Sequence, residues 1–145
     1  MEICSIGFTK KTAEQFFEIL RRQHVRRLLD VRLNNISQLS GFAKREDLRY
    51  FLREICKSDY IHEPLLAPTQ EMLDEYKKNK GSWQDYERRF LDLMSERKIE
   101  DRLDPALFSV PTALLCSELS ADYCHRRLVL EYLAAKWGNI TIRHL

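Results

Sequence analysis

The chain has 145 residues, of which 44% are hydrophobic and 32% are charged, and its formal net charge is +2. This length and composition suit one globular domain with its own core, and they exclude an intrinsically disordered chain. The charge is close to balance, so composition alone supplies no electrostatic argument for a nucleic-acid partner. The sequence has no apolar run near the roughly 20 residues of a membrane span and no evident signal peptide, so we expect a cytoplasmic protein without a membrane partner.

The first part of the chain predicts a strand, a helix and a second strand. Apolar residues favour a strand over Glu2–Ile6, which stops at Gly7. A capping-box pair, Thr12 with Gln15, opens an amphipathic helix over Thr12–Gln23. The apolar run Arg27–Val31 predicts a second strand that is buried on both faces, as parallel strands are.

The middle of the chain predicts a long loop, three helices and a short strand. Leu33–Lys44 has no clear period and predicts a loop of a length that is often functional. Helical spacing returns from Glu46, a brief strand covers Tyr60–His62, and a short helix ends near Gly81. Ser82 then caps a helix with an aromatic stripe, which we interpret as core: Trp83, Tyr86, Phe90, Leu93 and Met94.

The last part predicts a strand over Thr112–Cys116, a helix from near Ser120 to Trp137, and a final strand over Asn139–Arg143. Gly138 stands in the position expected just past a helix end. Strands that alternate with helices imply parallel strand–helix–strand units. We therefore expect a single three-layer α/β domain over residues 1–145, with a mostly parallel sheet of about five strands flanked by helices.

Three of these strands carry polar residues at their carboxyl ends, where open α/β sheets bind ligands. The first strand ends at Gly7, the second at Asp30 and Arg32, and the fourth at Cys116 and Glu118. These residues share one site if the three strands are neighbours, but the sequence leaves the strand order open.

The segment after the fourth strand adds Cys124, His125 and Arg126. A helix that begins near Ala121 would offer an anion its unpaired N–H groups and the positive end of its dipole. Cys124 would then lie in the first turn, where neighbouring positive charge stabilises a thiolate. The candidate catalytic residues are Glu118, Cys116, Cys124 and Asp30, and the candidate ligand-binding residues are Gly7, Arg32, His125 and Arg126.

Other interpretations of the same residues remain open. Each of the two cysteines could equally be a small buried hydrophobe, and the arginines could pair with Glu118 and Asp30 as structural ions. An Asp-x-Arg strand end and a later strand ending in Cys resemble sulfurtransferases and cysteine phosphatases. Those enzymes return an arginine soon after the nucleophile, whereas the first arginine after Cys116 is Arg126, so we do not favour that class.

A metal site is a further alternative. Cys116, Glu118, Cys124 and His125 are residue types that bind zinc, but the paired C-x-x-C spacing is missing. Cys124 and His125 would also point in different directions as neighbours on one helix. We therefore expect no metal and no cofactor, and reduced thiols at all four cysteines.

Three motifs carry a family resemblance: Ser5-Ile6-Gly7, Asp30-Val31-Arg32, and Cys116-Ser117-Glu118 followed by Cys124-His125-Arg126. With them the chain resembles the "domain of unknown function 488" family along almost its whole length. Members usually carry a histidine, often followed by a serine, after the first-strand glycine, whereas this chain has Phe8 and Thr9. The resemblance implies the same fold and the same site without naming a reaction.

The residues favour a small enzyme in which Arg32 and Arg126 hold an anionic ligand, such as a nucleotide or a nucleic acid. Glu118 would serve as acid or base, supported by Asp30 and a cysteine. The alternative is a non-catalytic, regulatory module that binds nucleotide or nucleic-acid phosphate in the same pocket. A third interpretation is a partner-binding domain that uses residues 33–44 and the helices between Met72 and Arg97. The substrate, the reaction and the oligomeric state are not predicted.

Overall fold

The computed structural model describes residues 1–36, 41–118 and 120–145. The strands are β1 (Glu2–Gly7), β2 (Arg27–Asp30), β3 (Asp59–His62), β4 (Thr112–Cys116) and β5 (Thr141–His144). The α-helices are α1 (Ala13–Arg22), α2 (Arg45–Phe51), α3 (Gln70–Lys77), α4 (Trp83–Arg97), α5 (Ile99–Arg102) and α6 (His125–Trp137). A π-helical turn, Leu52–Cys56, extends α2, and 3₁₀ turns occupy Gly41–Ala43, Pro64–Leu66 and Pro105–Phe108.

The strands of the described residues form one parallel sheet in the order β3-β2-β4-β1-β5. β4 therefore lies between β2 and β1, which is the neighbourhood that the predicted site required. The register pairs Gly7 with Cys116 and Asp30 with Leu115, so the three strands end at the same edge of the sheet. The predicted α/β fold with a parallel sheet is confirmed.

Helices cover both faces of the sheet, because successive strand residues point to opposite sides. On one side, Leu29 and Leu114 pack in a core with residues of α4, α5 and α6. On the other side, Leu28 and Leu115 pack with α1 and α2. Cys116 belongs to the first of these sides, so its thiol faces the layer that α4 and α6 form.

Local signals predicted most element boundaries closely. Thr12 and Gln15 form the expected capping box at the start of α1, and the Ser82 hydroxyl accepts a hydrogen bond from the Asp85 N–H at 3.1 Å. Gly138 follows α6 with a φ of +71°, a conformation that favours glycine.

The predicted start of the last helix near Ser120 is wrong, because α6 begins at His125. The preceding residues form turns instead: the Asp122 N–H bonds to the Ser120 hydroxyl at 3.2 Å, and the Cys124 N–H bonds to the Ala121 carbonyl at 3.3 Å. Cys124 is extended, with φ −137° and ψ 139°. The helix N-terminus at which an anion site was expected therefore lies at His125 and not near Ala121.

The predicted loop 33–44 is described in part, since residues 37–40 lie outside the described residues. Its two ends are tied together by the Arg45 N–H, which donates to the Asn35 carbonyl at 2.8 Å. Among the described helices, none combines the length and the apolar character needed to cross a bilayer.

Candidate functional site

A cavity of about 310 Å³ opens at the carboxyl ends of β2 and β4. This volume lies at the lower end of the range of small-molecule sites. The cavity draws its lining from three segments, which are the exit of β2, the α3–α4 region and the segment between β4 and α6. The lining residues are Arg32, Leu33, Asn34, Pro68, Leu73, Tyr76, Lys77, Trp83, Tyr86, Cys116, Ser117, Glu118, Tyr123, Cys124 and His125.

Two thiols and an imidazole meet at this cavity. The side-chain donor atoms of Cys116, Cys124 and His125 all lie within 4.8 Å of one another, and all three residues are buried. Cys116 Sγ is 3.6 Å from His125 Nδ1. We call these three residues the thiol–imidazole centre.

The orientation of the His125 ring is set by the backbone. Its Nε2 lies 2.7 Å from the Val31 carbonyl oxygen, and its ring packs against Phe90 with the centroids 5.3 Å apart. Because a carbonyl oxygen can only accept, Nε2 carries the proton in this contact. A neutral ring then carries its lone pair on Nδ1; Cys116 Sγ lies beside the ring, 3.6 Å from Nδ1 and 3.9 Å from Nε2.

The two thiols have opposite acid–base tendencies. A hydrogen bond from Cys116 lowers the pKa of the Cys124 thiol well below its usual value, and His125 and Arg126 lower it further. The same hydrogen bond, together with burial, raises the pKa of Cys116. Of the two thiols, Cys124 is therefore the one that ionises more readily.

The expected divergence of Cys124 and His125 is wrong, and the reason is the late start of α6. Cys124 precedes the helix as its extended N-cap residue. The fixed angle between successive side chains of a helix therefore does not separate Cys124 from His125. Both side chains reach Cys116, which ends β4.

Asp30 and Arg32 form a buried ion pair. Arg32 Nε and Nη2 donate to the two Asp30 oxygens at 2.9 and 2.8 Å. The Tyr60 hydroxyl donates to Asp30 at 2.5 Å, and burial followed by the Asp30 charge raises the pKa of Tyr60. The remaining Arg32 nitrogen, Nη1, is buried without a hydrogen-bond partner in the described part of the chain. Arg32 lines the cavity, while Asp30 lies behind it.

Arg126 and Gly7 hold the segment that leaves β4. Arg126 is buried, and it donates from Nε to the Ser5 hydroxyl at 3.1 Å and from Nη1 to the Glu118 carbonyl at 2.6 Å. A Cβ on Gly7 would lie 1.6 Å from that same carbonyl oxygen. Both residues stand behind the described cavity lining rather than in it.

Glu118 lines the cavity but is not enclosed by it. Its side chain is 45% exposed, and its carboxylate accepts a hydrogen bond from Lys77 Nζ at 3.1 Å. The desolvated environment that tunes many catalytic carboxylates is therefore missing at this residue.

Sequence reasoning missed the aromatic wall of the cavity. Trp83 and Tyr86 stack with centroids 5.2 Å apart, and Tyr76 lies 5.1 Å from Tyr86. Tyr123 meets Trp83 edge to face at 5.6 Å and is 63% exposed. The aromatic stripe of α4 was visible in the sequence, but its position beside the β4 exit depends on tertiary packing.

The sequence profile of "Domain of unknown function DUF488" matches residues 12–133. The chain belongs to the DUF488 family. Searches of curated proteins and of solved structures find no significant match.

The DUF488 match contains most of the candidate site. The matched region includes Asp30, Arg32, the thiol–imidazole centre and the whole described cavity lining, while Gly7 precedes it. The family's description states no activity, so the function is argued from the site itself.

Proposed function

We propose that this DUF488 protein is a small enzyme that binds an anionic ligand with a planar ring, such as a nucleotide, and acts on it with the thiol–imidazole centre. The observation that carries this proposal is the position of the centre, which lies in a cavity that is also lined by aromatic rings and by the basic residues Arg32 and Lys77. A chemically reactive group at the end of a ligand-sized pocket is the usual organisation of an enzyme site.

The aromatic wall supports a ligand with a planar ring. Trp83 and the exposed Tyr123 line the cavity with aromatic rings, and the buried Tyr86 packs behind Trp83. Stacking of a base on an aromatic side chain contributes about 1–3 kcal/mol per base and tolerates different bases. The wall therefore suits nucleobases as a class.

The charged residues of the lining support an anionic ligand. Arg32 and Lys77 are basic, and Glu118 is the acidic residue beside them. The Lys77–Glu118 pair is about half exposed, and such surface pairs contribute only about 0–1 kcal/mol. A phosphate group of the ligand can therefore replace Glu118 as the ion-pair partner of Lys77 at little cost in free energy.

The chemistry of the centre supports catalysis. The His125 ring is held in place through the Val31 carbonyl, and its Nδ1 lies 3.6 Å from the thiol sulfur of Cys116. A thiol beside an oriented imidazole is the arrangement that activates sulfur nucleophiles or moves protons.

Ligand binding can be tested with the fluorescence of Trp83. The chain has two tryptophans, and Trp137 lies elsewhere, against Phe108. In a Trp137→Phe background, nucleoside phosphates and short oligonucleotides should change the emission of Trp83 in a saturable manner. Base-free phosphates of equal charge should bind more weakly, because they cannot stack.

A matched pair of tyrosine variants controls this experiment. Tyr123→Ala removes an exposed wall residue and should weaken binding roughly 5-fold or more. Tyr50→Ala removes another exposed tyrosine, which lies outside the cavity lining, and should leave binding unchanged. Absence of binding across the panel, or equal effects of the two variants, would refute the proposed ligand class.

The second candidate is a non-catalytic module that binds the same ligands. The half-exposed, ion-paired state of Glu118 favours it, because this residue lacks the setting of a general acid or base. A module should bind ligand and leave it chemically unchanged. For an enzyme, His125→Asn should abolish turnover while ligand still binds, and Glu118→Gln should reveal whether the carboxylate takes part.

A further inference from the structure

We infer that the thiol–imidazole centre, Cys116, Cys124 and His125, is a binding site for a Zn²⁺ ion, with one coordination position open to the cavity. The inference rests on the proposed function, because the bound ion would be the reactive group of that cavity. Its test, however, requires no ligand.

The spacing of the donor atoms fits one ion. Bonds of about 2.3 Å to sulfur and about 2.1 Å to nitrogen, at a tetrahedral angle, place the two donors about 3.6 Å apart. Cys116 Sγ and His125 Nδ1 are 3.6 Å apart. The Cys124 sulfur lies within 4.8 Å of Cys116 Sγ and of a ring nitrogen of His125, so side-chain rotation can complete the set.

The hydrogen bonding of His125 is that of a metal ligand. Metal-binding histidines nearly always donate their second ring N–H to a carbonyl or carboxylate, which fixes the tautomer and the ring orientation. His125 Nε2 makes this contact with the Val31 carbonyl at 2.7 Å, which leaves Nδ1, 3.6 Å from Cys116 Sγ, as the nitrogen that can bind an ion. Val31 follows β2 and is buried, so a rigid part of the sheet edge sets the ring orientation.

The backbone holds all three ligands before any ion binds. Cys116 is the last residue of β4, and His125 is the first residue of α6. Cys124 is fixed between them by its N–H bond to Ala121 and by the Arg127 N–H, which donates to the Cys124 carbonyl at 3.2 Å. Little conformational freedom remains to be lost on binding.

The donor set selects the type of metal. Two sulfurs and one imidazole suit Zn²⁺, whereas Mg²⁺ and Ca²⁺ require oxygen ligands. Structural zinc sites are closed by four protein ligands, while catalytic ones use three and keep one position open. The three ligands here line a cavity, so they match the open arrangement. An ion at this position would supply a Lewis acid and an activated water molecule.

The test uses the reduced chain after removal of metal by a chelator, in a buffer with a thiol-free reductant. Co²⁺ should bind one ion per chain, and it should give sulfur-to-cobalt charge-transfer absorption together with the strong visible bands of tetrahedral cobalt. Zn²⁺ should abolish these bands by displacing Co²⁺. Elemental analysis of the Zn²⁺-loaded chain should give one equivalent.

Variants separate this site from adventitious thiol binding. Cys124→Ser should weaken Co²⁺ binding by more than the roughly 10- to 100-fold loss typical of an outer-shell change. Cys56→Ser is the matched control, because Cys56 lies on the other side of the sheet, where its thiol bonds to the Phe17 carbonyl. Equal binding by the two variants, or no cobalt spectrum in the wild-type chain, would overturn the inference.

A second measurement keeps the inference testable if Cys124→Ser does not fold. In the wild-type chain, Zn²⁺ should slow the alkylation of Cys116 and Cys124 but leave Cys4 and Cys56 unchanged, as mapped by mass spectrometry. Equal rates with and without Zn²⁺ would exclude the site. A chain that binds Zn²⁺ but no nucleotide contradicts the proposed function alone, and one that binds nucleotides but no metal contradicts this inference alone.

Discussion

Gly7 lies against the backbone carbonyl of Glu118, so close that a Cβ on Gly7 would stand 1.6 Å from the carbonyl oxygen. The contact joins the end of β1 to the segment that leaves β4, and the nearby Thr9 N–H reinforces it by donating to the Ser117 carbonyl at 3.0 Å. This close approach explains a glycine at position 7 without any contact to a ligand.

Gly7→Ala should therefore destabilise the protein and displace the segment from Ser117 onwards. A backbone atom cannot rotate away as a side chain can. We therefore expect the free energy of unfolding, measured in urea, to fall by about 1–3 kcal/mol or more. Gly41→Ala is the matched control, since a Cβ there meets nothing within 4 Å. Its expected change is within about 0.5 kcal/mol, and equal losses in the two variants would contradict this account.

Asp30→Ala should be among the most destabilising single changes in the site. It leaves the buried Arg32 guanidinium without its carboxylate, and such a loss costs about 3–5 kcal/mol. The double variant Asp30→Ala with Arg32→Met also removes the buried positive charge, so it should recover part of the lost free energy of unfolding. Asp59→Ala breaks the ion pair with Arg27 at a carboxylate that is 55% exposed, and it should cost no more than about 1 kcal/mol. Chemical denaturation of all three variants provides the comparison.

Tyr60 should make the protein less stable at alkaline pH. Burial and the Asp30 charge raise its folded pKa above the unfolded value of about 10. Above that pH, the unfolded chain loses a proton that the folded chain keeps, so stability falls as the pH rises. Tyr60→Phe should lose about 1–3 kcal/mol near neutrality, because a hydrogen bond to a charged group is removed. Its stability should then decline less steeply above about pH 10.

The control for this pH profile is Tyr50→Phe, at a tyrosine that is 52% exposed. It should follow the wild-type curve of unfolding free energy against pH. A Tyr60→Phe curve parallel to that of the wild type would show that the Tyr60–Asp30 contact does not link ionisation to folding.

Arg126 should act on ligand binding through the position of the segment after β4. Lysine keeps the charge but cannot bridge the Ser5 hydroxyl and the Glu118 carbonyl with separate nitrogens of one rigid group. Arg126→Lys should therefore lower stability and accelerate hydrogen exchange at residues 117, 118 and 120–124, with ligand affinity falling in parallel. A loss of affinity with stability and exchange unchanged would instead identify Arg126 as a direct ligand contact. Arg143→Lys, at a half-exposed arginine, should change neither property.

The sequence alone determined most of the local structure and pointed to part of the candidate site. Periodicity and caps are properties of neighbouring residues, so the ends of α1, the start of α4 and the limits of β4 could be predicted from them. The motif around Cys116 and Cys124 likewise pointed to a site, because it concentrates reactive side chains at a strand end. Family membership also follows from sequence, since the profile match needs no coordinates.

Tertiary structure alone decided which of those residues lie together. The strand order brought β1, β2 and β4 together, and the packing of α4 placed Trp83 and Tyr86 in the cavity lining. In the buried interior, Arg126 donates a hydrogen bond to the Glu118 carbonyl, and Asp30 pairs with Arg32. The turn before α6 left Cys124 extended, which brought it to Cys116 beside His125. Each of these outcomes depends on contacts between distant parts of the chain. The free energies of these contacts depend on how the core packs, so they cannot be predicted from the pattern of neighbouring residues.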